Sequence, residues 1–229
     1  VREYGDALLE AADKSENRTL ARWTIVHFLK RALSSPEALR QSLNNREDKL
    51  VSYLEDLEDA AAELEDRAGV TEEMAQANAL DNDPGEDYSE TELGQRVERI
   101  VAGDKAAIEH ELKALDDAWD AAEAVTKSRD GKLQKLLSDT LPNRFQYPRV
   151  IVFTKYVDTL EYLKEQIENE KTNKTSNLPE DLEVFTLKGE LSETQRKERF
   201  EAFSETKPAV LIATDVISEG MNLQHAANQ

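Results

Sequence analysis

Cysteine is absent from the 229 residues, which excludes a disulfide framework and any thiolate metal site. Histidine occurs only at 27, 110 and 225, too scattered for a zinc site, and no metal ligand set is assigned. Aromatic residues make up 6% and hydrophobic residues 39%, so a soluble chain with a thin core is expected. No stretch approaches the roughly 18 to 20 uncharged apolar residues of a membrane span. The start at Val1 shows no basic segment leading into an apolar one, so no secretory signal is expected. The expectation is a cytoplasmic protein with no membrane partner.

Positive charge is also scarce. Against 48 Asp and Glu stand 29 Lys and Arg, a formal net charge of -19, which argues against a free-standing nucleic-acid binder. Residues 1–140 hold 18 basic and 33 acidic side chains, and residues 141–229 hold 11 and 15. The acid is thus concentrated in the N-terminal part. Two readings stay open: a solvated acidic helical surface, or an adaptation to high salt in which surface carboxylates maintain solubility. Unfolding in low salt would favour the second.

The N-terminal part carries helical periodicity. Over 6–33, Leu20, Trp23, Val26 or His27, Leu29 or Lys30, and Leu33 trace a stripe, with Arg22, Lys30 and Arg31 off it. Ser34-Ser35-Pro36-Glu37 stops that helix and starts the next, with Pro36 in the first turn and Ser34 and Glu37 as a capping box. Leu39, Leu43, Leu50, Leu54, Leu57, Ala61 and Leu64 then predict a long amphipathic helix ending near Gly69, paired within a helical hairpin. A short helix from Thr71 and an acidic loop at 81–88 follow, then a Ser89–Glu92 capping box and a helix to about Ala102. Helices over 104–126 (Ile108, Leu112, Leu115, Trp119, Ala122) and from about Asp130 through Leu141 (Leu133, Leu136, Leu137) complete this part.

Between Pro142 and Pro148 the period changes, and a domain boundary is expected there: 1–141 helical, 142–229 α/β. Val150–Phe153, Glu183–Leu187 and Ala209–Thr214 read as strands. Helices over 157–170 and 193–204 alternate with them, the second opened by a Ser192–Gln195 capping box. This alternation predicts right-handed crossovers and a parallel sheet. Ligands of such sheets bind beyond the carboxyl ends of the strands, where this chain places Thr154-Lys155, Lys188-Gly189 and Thr214-Asp215.

Three motifs carry a resemblance. Val150-Ile-Val-Phe-Thr-Lys-Tyr-Val-Asp-Thr-Leu160, Lys188-Gly-Glu-Leu-Ser-Glu-Thr-Gln-Arg196 and Ala213-Thr-Asp-Val-Ile-Ser-Glu-Gly-Met-Asn-Leu-Gln224 resemble, in order and spacing, motifs IV, IVa and V of the second RecA-like lobe of superfamily-two helicases. The wording is similar to Swi/Snf-type translocases, including the ATPase that recycles RNA polymerase. The resemblance covers about residues 130–229; residues 1–129 resemble, less closely, the helical segment such proteins insert between their lobes. It implies a partial RecA-like lobe belonging to an ATP- and Mg-dependent motor on duplex DNA, with RNA as the alternative, facing a first lobe in cis. It also implies that Thr214 contacts a phosphate, that Glu219, Gly220 and Asn222 lie towards ATP, and that Thr154, Lys155, Lys188 and Gly189 line the nucleic-acid track. Hydroxyls, a Lys and bare backbone at strand ends suit phosphate contacts that position without reading sequence.

Other roles are expected for three neighbours. Asp215 holds its loop through nearby backbone N–H groups. Arg196 anchors its helix by a salt bridge. Glu193 stands where the related DEAD-box RNA helicases carry a Gln that contacts RNA, which weakens an RNA-specific reading. No G-x-x-x-x-G-K-[ST] loop occurs, and the family's final arginine-rich motif would lie past Gln229, so this chain alone is expected to hydrolyse no ATP. The rival expectation is an acidic helical module that binds protein, on a degenerate α/β scaffold.

Overall fold

A computed structural model describes residues 1–11, 15–66, 105–125, 129–173 and 177–214. Among the described residues, α1 (Arg2–Ala11), α2 (Ser15–Ser34), α3 (Pro36–Asp66) and α4 (Lys105–Glu123) come first. Next come α5 (Gly131–Lys135), a π-helical turn (Leu136–Thr140) and α6 (Leu141–Arg144). The remainder alternates: β1 (Arg149–Thr154), α7 (Val157–Asn173), β2 (Glu183–Leu187), α8 (Glu193–Glu205) and β3 (Ala209–Thr214). The helix-rich chain with a small parallel three-stranded sheet is the partial RecA-like α/β arrangement expected. It divides into two compact units, Val1–Leu29 with Ser42–Asp120, and Lys30–Gln41 with Ala121–Gln229.

In the first unit, Tyr4, Leu8, Ala21, Phe28, Leu43, Leu50, Ile108 and Leu115 are buried. Gly5 lets α1 approach α2 closely, since a Cβ there would stand 3.1 Å from Ile25 Cγ1. The Tyr4 and Phe28 rings meet edge-to-face at 5.2 Å, a favoured geometry for aromatic quadrupoles. The stripe expected on α2 is corrected. Trp23, Val26, Leu29 and Leu33 are exposed, and among the described side chains of α2 the buried ones are Ala21, Thr24, Phe28 and Arg31. Periodicity is intact but its phase is set by small and paired polar residues that an apolar count overlooks. On α4, likewise, Glu111 shares the buried face with Ile108 and Leu115.

The buried acid is paired. Arg46 donates from Nε and Nη2 to the two Glu111 oxygens at 2.8 and 2.9 Å, and Tyr4 donates its hydroxyl to Glu111 Oε1 at 2.7 Å. Burial first, and then the Glu111 charge, hold the Tyr4 phenol well above its ordinary value. The Arg46 guanidinium is raised too: burial opposes its charge, but the Glu111 carboxylate outweighs that.

In the second unit the strand order is β1-β3-β2, all parallel. From β1 to β2 the chain moves two places along the sheet, and from β2 to β3 it returns one. Right-handed crossovers in opposite directions put their helices on opposite faces. The core clusters agree. Val210 and Ile212 of β3 pack with Leu160 and Ile167 of α7 and with Leu133, Leu137 and Leu141. Leu211 and Ala213 pack with Phe203 of α8 on the other face. Leu133, Leu137 and Leu141 recur every fourth residue through the π turn and into α6. The helix expected to stop at Leu141 continues to Arg144. Pro142 cannot donate to a carbonyl four residues back, and the wider π turn just before it accommodates the ring.

Three capping boxes are expected from the sequence. Ser192 caps α8 with its reciprocal Gln195 partner, as expected. At α3 the cap is Ser35, which accepts from the Ala38 N–H at 3.0 Å, while Glu37 pairs with Arg40 instead of closing a box with Ser34. Ser34 is the last residue of α2. The Ser89 box lies outside the described residues.

Candidate nucleic-acid interface

The site is the carboxyl edge of the sheet. Each strand ends where its apolar run ends, and parallel register brings those ends level. Thr154 and Thr214 are register partners at the tips of β1 and β3. Leu187 pairs with Ala213, so Lys188 follows one position on, level with Thr214. Three of the strand-end positions singled out from sequence thus share one edge. Lys155, the next residue after β1, is exposed.

Details differ from place to place. Thr214 is buried, and its Oγ1 has no hydrogen-bond partner among the described residues. Lys188 is half-buried, with its ammonium paired to Glu161 of α7. Gly189 offers its carbonyl to Arg196 Nη2 at 2.8 Å, and Arg196 Nε donates to the Leu191 carbonyl, also at 2.8 Å. Arg196 therefore anchors its helix as expected, but onto the backbone of the 188–191 turn and not through the expected salt bridge. Asp215, Glu219, Gly220 and Asn222 lie outside the described residues.

Beside the tip of β1 is a cavity of about 350 Å³, lined among others by Thr154, Lys155, Ser34, Ser35, Thr159 and Lys132. Its floor is fixed by Asp130, which caps α5 by accepting from the N–H groups of Lys132 and Leu133 at 3.1 and 3.0 Å. Tyr162 donates to the other Asp130 oxygen at 3.0 Å. Burial, then the Asp130 charge, push the Tyr162 phenol above its ordinary value. Lys132 Nζ donates to the Ser34 carbonyl at 2.9 Å and to that of Leu33, placing a cation at the C-terminus of α2 where the helix dipole favours one. The cavity is thus ringed by hydroxyls and two ammonium groups, with a carboxylate already engaged.

Sequence reading missed the second wall of this cavity. Ser34 and Ser35 each stand 2.8 Å from Thr159 Oγ1, and Arg31 pairs with Asp158 while lying over the Tyr156 ring. No local signal in the sequence marks this wall, because the buried phase of α2, in which Arg31 continues Ala21, Thr24 and Phe28, is set by partners far along the chain. Among the described residues no group of three or more His, Asp or Glu could hold a metal ion. The residues expected to face ATP are not among those described. No helix of the described residues is long and apolar enough to cross a membrane.

Residues 131–228 match the family described as the helicase conserved C-terminal domain. This supports a superfamily-one-or-two helicase C-terminal lobe for the α/β segment. No curated protein and no solved structure matches the chain.

Proposed function

We propose that the chain contributes the second motor lobe of a Swi/Snf-type DNA translocase, preceded by the helical inter-lobe region of the same motor. The observation that carries this reading is the register of Thr154, Thr214 and Lys188 along one sheet edge, inside the segment that matches the helicase family. Thr154, Lys155, Lys188, Gly189 and Thr214 contact successive phosphates of duplex DNA. Such contacts are indifferent to sequence and sensitive to salt. Glu219, Gly220 and Asn222 face ATP, and Asp215 braces their loop. ATP and Mg, when bound against a first lobe, supply the free energy of stepping; this chain's own residues hold the strand. The sequence contains no phosphate-cradling G-x-x-x-x-G-K-[ST] loop, so the chain alone turns over no ATP. The boundary near 141, the cytoplasmic setting and a protein partner for the acidic helices belong to the same proposal.

The test is anisotropy of a labelled duplex of arbitrary sequence, titrated with the 229-residue chain between about 50 and 200 mM salt. Binding is expected to weaken steeply with salt, and Lys155→Ala is expected to reduce the slope of log affinity on log salt by about 0.9. Binding that ignores salt and Lys155→Ala would overturn the reading in favour of an acidic module that binds protein alone. Measurable ATP turnover sensitive to Gly220→Asp would overturn the claim of inactivity.

A further inference from the structure

We propose that residues 30–41, the corner between α2 and α3, are a working part of the motor lobe, and that Arg31 is a positioning residue for the phosphate-facing loop after β1. The inference rests on the nucleic-acid reading above. The corner lies outside the matched segment 131–228, yet it packs as part of the α/β unit. It grips Tyr156 of the loop, and Asp158 and Thr159 in the first turn of α7. The Arg31 guanidinium carbon lies 4.5 Å over the Tyr156 ring, and its Nη2 pairs with the Asp158 carboxylate. Ser34 and Ser35 both meet the Thr159 hydroxyl at 2.8 Å.

Arg31 is itself held from its own side, with Nε donating to the Ala38 carbonyl at 3.1 Å. Only 4% of Arg31 is exposed, so these interactions are little screened by solvent. A planar guanidinium can stack and fork at once, which a Lys ammonium cannot. The corner thus fixes residues 156, 158 and 159, and leaves Thr154 and Lys155 on the cavity side. A flexible lysine must be ordered to meet a phosphate; a loop already fixed reduces that entropic cost and tightens binding. Arg31 touches no phosphate in this account. It acts through Lys155.

The experiment compares DNA affinity of the full 229-residue chain with Arg31→Lys, Asp158→Asn and Lys155→Ala, singly and with each of the first two combined with the third. Hydrogen exchange of the amides at 154–159 is followed without DNA. Arg31→Lys and Asp158→Asn are each expected to weaken binding about 5-fold when Lys155 is present, and less than about 1.5-fold when it is alanine. Exchange at 154–159 should rise in both while 210–213 stays protected. Equal losses in the two backgrounds, or unchanged exchange in folded variants, would overturn the positioning role. Asp158 is partly exposed, so Asp158→Asn carries the test should Arg31→Lys not fold. If Lys155→Ala itself leaves binding unchanged, the nucleic-acid reading falls and takes this inference with it. If Lys155→Ala weakens binding and the other two do not, the inference alone falls.

Discussion

Thr154 and Thr214 end β1 and β3 as register partners, both buried, and Thr214 Oγ1 finds no hydrogen-bond partner among the described residues. A buried unpaired hydroxyl costs about 1–3 kcal/mol of desolvation, so an isosteric apolar replacement can be neutral or stabilising. Thr214→Val is therefore expected to unfold in urea at the same or a higher midpoint than wild type. On the proposed reading the hydroxyl meets a phosphate, so DNA affinity should fall in the same variant, and Thr214→Ser should retain it. A Thr214→Val chain that loses stability but keeps full affinity would assign the hydroxyl to the fold instead.

The Tyr4–Glu111–Arg46 network makes the helical unit sensitive to charge and to alkali. Glu111→Gln leaves the Arg46 guanidinium buried without its carboxylate, and about 3–5 kcal/mol should be lost in denaturant unfolding. Tyr4 has a raised folded-state pKa, so the folded chain keeps its proton where the unfolded chain releases it. Its contribution is fully present below the ordinary tyrosine value of about 10 and is lost as pH rises above it. Melting temperature should therefore fall above about pH 10, and Tyr4→Phe should make that fall shallower. Equal slopes for the two chains would show that the phenol is not linked to folding.

The strands were the most legible part of the sequence. Ala209–Thr214 stands where its apolar run places it, because a central strand covered on both faces must be apolar, and the edge strand Glu183–Leu187, with Glu183 exposed and Leu187 buried, also stands where it is expected. The strand-end residues followed directly, since parallel register aligns the tips. The phase of α2 was not legible. Arg31 is buried by partners that lie more than a hundred residues later, and Trp23 is 45% exposed although it is the largest apolar residue of the helix. Long-range pairing of that kind leaves no local trace. The cavity beside Thr154 was hidden for the same reason, since one of its walls comes from Ser34 and Ser35.

Arg196 holds the turn after β2 by two backbone carbonyls, Gly189 and Leu191. Both bonds are charge-assisted, which makes each worth roughly 1.5–3 kcal/mol, less where solvent reaches the half-buried guanidinium. Arg196→Lys keeps the charge but cannot span the two acceptors from one fork. Hydrogen exchange across 188–191 should therefore quicken in Arg196→Lys as it does in Arg196→Ala, with β3 unaffected. Full rescue by Lys would mean that charge alone, and not fork geometry, fixes the turn.

Lys188 spends its charge on Glu161, an ion pair with one-quarter of the Lys side chain and nearly half of the Glu side chain exposed. Exposed pairs contribute about 0–1 kcal/mol, so Glu161→Gln should shift the unfolding midpoint little. The consequence for DNA is larger. In the wild-type chain a phosphate must compete with the carboxylate for the ammonium, whereas in Glu161→Gln the ammonium is available and one negative charge is removed from the edge. Affinity for duplex DNA is expected to rise about 3-fold at moderate salt, with a salt slope steeper by up to about 0.9. Lys188→Ala in the same background should cancel the gain. A gain that survives Lys188→Ala would trace to the lost negative charge alone, and Lys188 would no longer belong to the interface.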